Sequence, residues 1–158
     1  MFQTGEDDER MTMATREIES KPYGSISIQE QQIVRFPRGL FGFEERHEYA
    51  LLDSTTPPFY WLQNLEDPSL AFILINPYIV VPEYVLDVSE DDLRAVESDD
   101  GSELLVFSIV TIPADRSQIS CNLQGPVLIN RRARLARQAI SLDQRWEIKH
   151  FLTAGAGA

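Results

Sequence analysis

Turn-forming residues interrupt this chain repeatedly between positions 22 and 126 and separate short apolar or aromatic runs. The turn signals are Pro22-Tyr23-Gly24, Pro37 to Gly42, Pro57-Pro58, Asp67-Pro68, Asn76-Pro77, Pro82, Gly101, Pro113 and Gly125-Pro126. Proline and glycine end regular elements, and this spacing leaves room for strands of about four to eight residues but for few helices. The sequence therefore predicts a mainly β protein.

The apolar runs are of two kinds. Ser25–Gln29 alternates with period two, and in Tyr84–Val88 three apolar side chains alternate with Val85 and Asp87, which is typical of half-buried strands. Three other runs are apolar at successive positions, as expected where both faces of a sheet are covered: Phe59–Leu62, Leu70–Ile75 and Leu104–Ile112. A small antiparallel β-barrel or roll accommodates both kinds.

One short helix is predicted after Ser89. Its hydroxyl can cap the helix, acidic residues including Asp92 fill the first turn, and Leu93 and Val96 face inward. A second short helical turn is predicted in Glu44–Glu48.

Residues 131–142 permit two structures. On a helix Arg131, Arg134 and Arg137 share one side, next to a side that carries Leu135, Ala139 and Leu142. As a strand, the segment forms a hairpin with Val127–Asn130, and Arg131–Ala133 forms the turn. Periodicity alone favours the helix.

Length and composition indicate one domain. The chain has 158 residues, of which 43% are hydrophobic, and its longest apolar stretches fall far short of the roughly 18 residues that a membrane-spanning helix needs. We expect a cytoplasmic protein with a domain over residues 16–150. We predict a disordered leader over residues 1–15, which contain the acidic block Gly5-Glu6-Asp7-Asp8-Glu9. We predict a flexible tail over residues 151–158.

Charge is distributed unevenly. The formal net charge is −11, with a balance of −15 over residues 1–120 and +4 over residues 121–158. An acidic majority repels nucleic acid and favours a basic protein partner, although it also serves solubility alone.

Groups for catalysis or metal binding are sparse. His47 and His150 are far apart in sequence, Glu44 and His47 alone do not make a metal site, and Asp99–Glu103 lacks the ligand spacing of a calcium loop. Cys121 lies in an alternating run and is predicted to be a small buried residue rather than a nucleophile. We predict no catalytic residue, no metal and no cofactor.

The arginines of residues 131–137 allow one alternative. Arg131, Arg132, Arg134 and Arg137 could contact RNA phosphates, but no aromatic side chains for base stacking are interleaved with them. We favour a charged strand edge that prevents stray pairing. A nucleic-acid binder and a hydrolase or metal enzyme that uses His47 stay open as rival classes.

Several short motifs together resemble one family. They are Ile33-Val34-Arg35-Phe36-Pro37-x-Gly39-Leu40-x-Gly42-Phe43, Pro58-Phe59-Tyr60-Trp61-Leu62-Gln63, Glu66-Asp67-Pro68-x-Leu70-Ala71-Phe72, Ile75-Asn76-Pro77 and Asn122-Leu123-x-x-Pro126-Val127-x-Ile129-Asn130. In this order and spacing they resemble the flagellar assembly factor FliW family over about residues 16–150. The resemblance implies a small antiparallel β-barrel-like domain, and a strand at Ala136–Ile140.

The resemblance also implies partners. Family members bind flagellin and, alternatively, the RNA-binding translational repressor CsrA, so that the flagellin level sets translation of flagellin messenger RNA. We therefore expect two protein partners, no direct contact with nucleic acid or membrane, and a monomer when free.

Candidate partner contacts are of two kinds. The first is an acidic set that can meet a basic surface on CsrA, namely Glu90, Asp91, Asp92 and Glu97; the alternative is a merely solvated face. The second is Phe41 and Phe43, in a loop that can present aromatic side chains. For the phenylalanines we favour another interpretation, in which Gly39 and Gly42 adopt positive φ at a barrel corner while Phe36 and Phe43 fill the core. The remaining motif residues are predicted to be structural: Phe36, Pro37, Gly39, Gly42, Trp61, Asn76, Pro77 and Asn130.

Overall fold

The described part of the protein is built almost entirely from short strands. The structure is a computed structural model that describes residues 14–152. Its strands are β1 (Thr15–Ser20), β2 (Gly24–Gln29), β3 (Ile33–Arg35), β4 (Glu48–Asp53), β5 (Tyr60–Asn64), β6 (Ala71–Ile75), β7 (Leu105–Thr111), β8 (Ser120–Cys121), β9 (Val127–Asn130), β10 (Leu135–Gln138) and β11 (His150–Phe151). Its helices are α1 (Pro77–Val80), α2 (Glu90–Ala95) and the 3-10 turn Glu30–Gln32. The mainly β prediction is confirmed.

Seven strands close into a barrel. The hydrogen-bonded order is β7-β6-β5-β4-β3-β10-β9, and β9 pairs again with β7. All of these pairings are antiparallel except that of β3 with β10, which is parallel and consists of the single pair Leu135 and Arg35. β8 and β11 extend the sheet beyond β7, and β1 and β2 form a separate hairpin. The predicted small antiparallel barrel is therefore confirmed.

The core follows from side-chain alternation along the strands. Leu62 on β5 and Leu74 on β6 point into the barrel and are fully buried, whereas their neighbours Trp61 and Ile73 face outward. Phe36 packs edge to face on Tyr49 inside the barrel, with a centroid distance of 5.1 Å. The β1–β2 hairpin packs on the outside of the barrel through a separate apolar cluster: Ile18, Ile28, Ile33, Ala50 and Leu52.

Two local predictions are wrong. Glu44–Glu48 forms a turn and then enters β4 rather than a helix, because Glu66 Oε1 accepts hydrogen bonds from the N–H groups of His47 and Glu48 and draws this backbone to the barrel. Tyr84–Val88 alternates in burial as predicted but is not a strand. Its backbone bonds to Leu142, which donates its N–H to Asp87 O, and to the preceding turn, where Tyr84 N donates to Val81 O, but these bonds do not form a ladder.

The conflict over residues 131–142 resolves in favour of the strand. Residues 131–134 form a turn, and β10 buries Ala136 and Gln138 on alternate positions. β10 lies between β3 and β9, so a helix here would leave the barrel open. The helical periodicity misleads because Leu142, on the apolar side of that helix, is 60% exposed, whereas Ala136 and Gln138 are buried with the period of a strand.

The predicted leader and tail fall mostly outside residues 14–152. β1 includes Thr15, the last residue assigned to the leader, and β11 includes Phe151, the first residue assigned to the tail. Within the described residues, no helix has the length and apolar character required to cross a membrane.

Candidate protein-interaction surfaces

Helix α2 is fixed at its start by the predicted cap. The Ser89 hydroxyl accepts a hydrogen bond from the Asp92 N–H at 3.1 Å. Glu90, Asp91 and Asp92 occupy the first turn, where unpaired N–H groups favour carboxylates. Val96 is fully buried at the end of the helix, as predicted.

The four predicted acidic contacts do not share one environment. Asp92 is buried, and its Oδ1 accepts a hydrogen bond from Arg137 Nε on β10 at 2.7 Å. Glu90, Asp91 and Glu97 are exposed. Asp92 therefore ties the helix to the barrel, while the other three carboxylates face solvent.

The exposed carboxylates belong to a wider surface, here named the acidic face, which consists of Asp87, Glu90, Asp91, Glu97, Asp99, Asp100 and Glu103. Arg94 is the one basic residue between positions 87 and 103, and it bridges to Asp91 and to Glu90. Hydrogen bonds from the Ser102 N–H and side chain hold the pKa of Asp100 below its usual value. The face carries strong negative charge, which steers basic partners toward it.

An apolar strip borders the acidic face. Ile140 and Leu142 are each 60% exposed, and Val85 is 54% exposed. Leu142 N donates to Asp87 O at 2.7 Å and Arg137 contacts Asp92, so residues 137–142 run antiparallel to residues 87–92. Apolar side chains flanked by charge of one sign are typical of a surface that binds a protein segment of opposite charge.

The segment 36–43 is a tight corner. It agrees in part with the prediction of an exposed aromatic loop and in part with the prediction of a barrel corner that fills the core. Gly39 and Gly42 have φ values of +66° and +88°, as predicted. Phe36 is fully buried, whereas Phe41 is 51% and Phe43 39% exposed, the latter with its ring against Phe72 at a centroid distance of 5.1 Å. The core interpretation therefore holds for Phe36 but not for Phe43, and Phe41 is presented to solvent.

β10 links this aromatic corner to the acidic face. Gln138 Oε1 accepts a hydrogen bond from the Phe41 N–H at 3.0 Å, and its Nε2 donates to Gly125 O at 3.1 Å. The preceding residue, Arg137, holds Asp92. Two candidate surfaces that lie far apart in sequence are thus positioned by consecutive residues of one strand.

Most other motif residues have structural roles. Asn76 caps α1 by accepting from the Tyr78 N–H at 2.8 Å, and buried Pro77 occupies its first turn. Asn130 Oδ1 accepts from the N–H groups of Arg132 and Ala133, each at 3.1 Å, while its Nδ2 donates to Val96 O at 2.7 Å. Pro37 lies in an exposed turn at the aromatic corner.

Trp61 lines a surface groove. The groove, of about 960 Å³, lies on the outer side of β5 and β6, where Trp61, Ile73 and Phe59 form much of its apolar wall. Among the described residues that line it, Arg116 carries the one charged side chain. The sequence did not predict this groove, because its walls come from strands and loops that are distant along the chain.

The candidate chemical groups lie apart. Among residues 14–152, no three His, Cys, Asp or Glu side chains are placed to hold a metal ion. His47 Nδ1 lies 3.0 Å from Phe36 O. Cys121 is buried, and burial raises the pKa of its thiol to about 11.

The fold defines a small, closed, mainly antiparallel β-barrel protein whose candidate sites lie on its outer surface. The sequence pattern of the family described as FliW protein matches residues 17–152. The chain belongs to the FliW family.

Individual relatives agree. The chain is 45% identical to the flagellar assembly factor FliW of Treponema denticola over 142 residues, which cover 90% of this chain and 97% of that protein. It is 40% identical to that of Treponema pallidum, over 87% of this chain and 92% of that protein. A crystal structure of the flagellar assembly factor FliW superposes with a TM-score of 0.78 at 32% identity and covers 86% of this chain and 96% of that one.

Proposed function

We propose that this protein is a flagellar assembly factor that binds flagellin and, in alternation, sequesters the translational repressor CsrA. The observation that carries the proposal is its 45% identity, over 90% of its length, to a protein named as a flagellar assembly factor. The role needs no catalysis and no cofactor. We place it in the cytoplasm, with the free protein as a monomer.

The physical basis of the proposed switch is mass action. If flagellin and CsrA exclude each other from one protein, the concentration of either partner sets the amount of factor that is left for the other. Scarce flagellin leaves the factor free to hold CsrA away from flagellin messenger RNA. Abundant flagellin takes the factor, CsrA is released, and translation falls.

The acidic face and its apolar strip support a basic partner. Glu90, Asp91 and Glu97 supply exposed negative charge, and Ile140 and Leu142 supply exposed apolar area beside it. The negative charge speeds association with a basic partner, and the apolar side chains form a contact centre from which water is excluded when the partner binds. We assign this surface to CsrA, which binds RNA and therefore needs basic side chains.

The aromatic corner supports a second contact. The Phe41 side chain is half exposed, and a hydrogen bond to Gln138 holds its backbone in place. Because this backbone is already ordered, a partner that binds the ring loses little conformational entropy. We assign Phe41 and Phe43 to a second region of partner binding. A partner that spans both surfaces would block the other partner sterically.

The test is a competition between purified proteins. Calorimetric titration of the protein with CsrA and with flagellin is expected to show binding of each, and prior saturation with flagellin is expected to abolish the CsrA signal. Simultaneous binding of both partners would disprove the alternation, and binding of neither would disprove the proposal.

A charge-reversal set localises the CsrA contact. Glu90→Lys, Asp91→Lys and Glu97→Lys together are expected to weaken CsrA binding and to flatten its salt dependence, because the steering charge is removed. The matched control is Glu17→Lys, Glu45→Lys and Asp53→Lys, which changes three exposed carboxylates elsewhere. Equal losses in both sets would indicate net charge alone and reject the assignment of this face.

A further inference from the structure

A turn rich in arginine lies beside the point where the described chain begins. Arg131, Arg132 and Arg134, here named the arginine turn, are exposed in the connection from β9 to β10. The Asn130 side chain fixes this turn through the N–H groups of Arg132 and Ala133. Within residues 14–152, none of the three arginines forms an ion pair. The turn therefore holds three positive charges close together, although the chain as a whole has a net charge of −11.

Residue Glu30 connects the arginine turn to the start of the described chain. Glu30 N donates to Ala14 O at 3.2 Å, and Glu30 O accepts a hydrogen bond from Arg134 Nη1. Arg35, on β3, donates its N–H to Arg134 O at 3.0 Å, which brings a fourth exposed arginine to the same corner. Ala14, the first described residue, therefore lies close to the arginine turn.

Those preceding residues carry the complementary charge. Glu6, Asp7, Asp8 and Glu9 are consecutive and form an acidic block. Glu9 is five residues before Ala14, a separation that spans at most about 17 Å of extended chain. The block is therefore tethered within reach of the arginine turn, at the high effective concentration of an intramolecular ligand.

We propose that the acidic block binds the arginine turn of its own chain and shields it from other polyanions. The inference is independent of the flagellin and CsrA proposal. Individual exposed ion pairs are weak and are screened by salt, so the block acts as a competitor that a stronger anionic ligand displaces. It removes the nucleic-acid affinity that an exposed row of arginines otherwise confers.

Amide resonances test the contact directly. The test variant is Glu6→Gln, Asp7→Asn, Asp8→Asn and Glu9→Gln in the full chain. Its ¹H–¹⁵N resonances for Arg131, Arg132 and Arg134 are expected to differ from those of the wild type, and rising salt is expected to move the wild-type resonances toward them. The control neutralises four exposed acids elsewhere on the protein: Glu45→Gln, Asp53→Asn, Glu83→Gln and Asp115→Asn.

Three results of this experiment would overturn the inference. One is that the arginine-turn resonances coincide in the wild type and the test variant. Another is that the control variant moves them as much as the test variant does. The third is that the shifts depend on protein concentration, which would place the acidic block on a second copy of the chain.

The affinity of the protein for a polyanion tests whether the acidic block shields the arginine turn. Anisotropy of a fluorescein-labelled oligouridylate is expected to show about threefold to tenfold tighter binding by the test variant than by the wild type or the control variant at low salt. Adding Arg131→Gln and Arg132→Gln is expected to remove that gain; these changes leave Arg134 and its bond to Glu30 in place. A gain that persists without the two arginines, or no gain at all, would reject shielding.

Discussion

Arg137 Nε on β10 donates a hydrogen bond to Asp92 Oδ1 on α2 at 2.7 Å, across 45 residues of sequence. Both side chains are largely shielded from solvent, with exposed fractions of 24% and 12%. The neighbouring pair of Arg94 and Asp91 is instead mostly exposed. The two arginines therefore have different roles: Arg137 fastens α2 to the barrel, and Arg94 moderates the charge of the acidic face.

Arg137→Ala is expected to destabilise the protein by about 1–3 kcal/mol, because it leaves the Asp92 carboxylate shielded without its partner. Arg94→Ala, the matched control, is expected to cost less than about 1 kcal/mol, since exposed ion pairs contribute little. Urea unfolding followed by circular dichroism measures both. Equal costs for the two variants would contradict the distinction.

Gly39→Ala and Gly42→Ala separate backbone strain from steric overlap. Both glycines have positive φ, which costs another residue about 1–2 kcal/mol. A Cβ on Gly39 would also lie 2.4 Å from Phe43 O, whereas a Cβ on Gly42 meets nothing within 4 Å. Gly39→Ala is therefore expected to lower the thermal midpoint clearly more than Gly42→Ala. Equal shifts would mean that the corner relaxes around the new methyl group.

Local chemistry explains which parts of the fold the sequence predicts. The Ser89 cap is confirmed because its hydroxyl and the Asp92 N–H are neighbours in sequence and need no tertiary context. The mainly β fold was predictable because proline and glycine limit the length of regular elements between positions 22 and 126. The strand at residues 135–138 came from family resemblance, since its own periodicity favours a helix.

Tertiary neighbours explain what the sequence does not predict. Asp92 and Asp91 are adjacent identical side chains, and only Arg137, 45 residues away, makes one of them structural. Phe43 was predicted to fill the core with Phe36, but its ring is 39% exposed and packs against Phe72 instead of being buried. Tyr84–Val88 alternates correctly yet has no strand to pair with, a property of its neighbours rather than of its own residues.

Asn130→Ala is expected to cost about 2–3 kcal/mol, because it leaves the Val96 carbonyl without its buried donor and frees the turn at Arg132. Asn76→Ala removes only a helix cap and is expected to cost about 1 kcal/mol. Chemical denaturation compares the two variants. A smaller loss for Asn130→Ala than for Asn76→Ala would refute the role given to Asn130.

The Cys121 thiol is expected to resist modification in the native protein. It is buried, and burial raises the pKa of the thiol to about 11, so the reactive thiolate is scarce at neutral pH. Labelling with Ellman's reagent is expected to be slow in buffer and immediate in guanidinium. Since this is the single cysteine of the chain, the signal has one source. Rapid labelling of the native protein would show that β8 opens readily.

Glu66 makes stability depend on pH. Desolvation by the neighbouring backbone acts to raise its pKa, but hydrogen bonds from the N–H groups of His47 and Glu48 and from the Asn64 side chain lower the pKa below its ordinary value. A carboxyl whose pKa is lower in the folded state stabilises that state above its unfolded pKa, and this contribution disappears as the pH falls through the folded pKa.

Glu66→Gln is therefore expected to destabilise the protein at neutral pH and to differ progressively less from the wild type as the pH falls below the ordinary range of a carboxyl group. Free energies of unfolding at a series of pH values measure this difference. Glu45→Gln is the control, because among residues 14–152 its exposed side chain accepts no hydrogen bond. A Glu66→Gln difference that stays constant with pH would show that the turn depends on the shape of the side chain at position 66 and not on its charge.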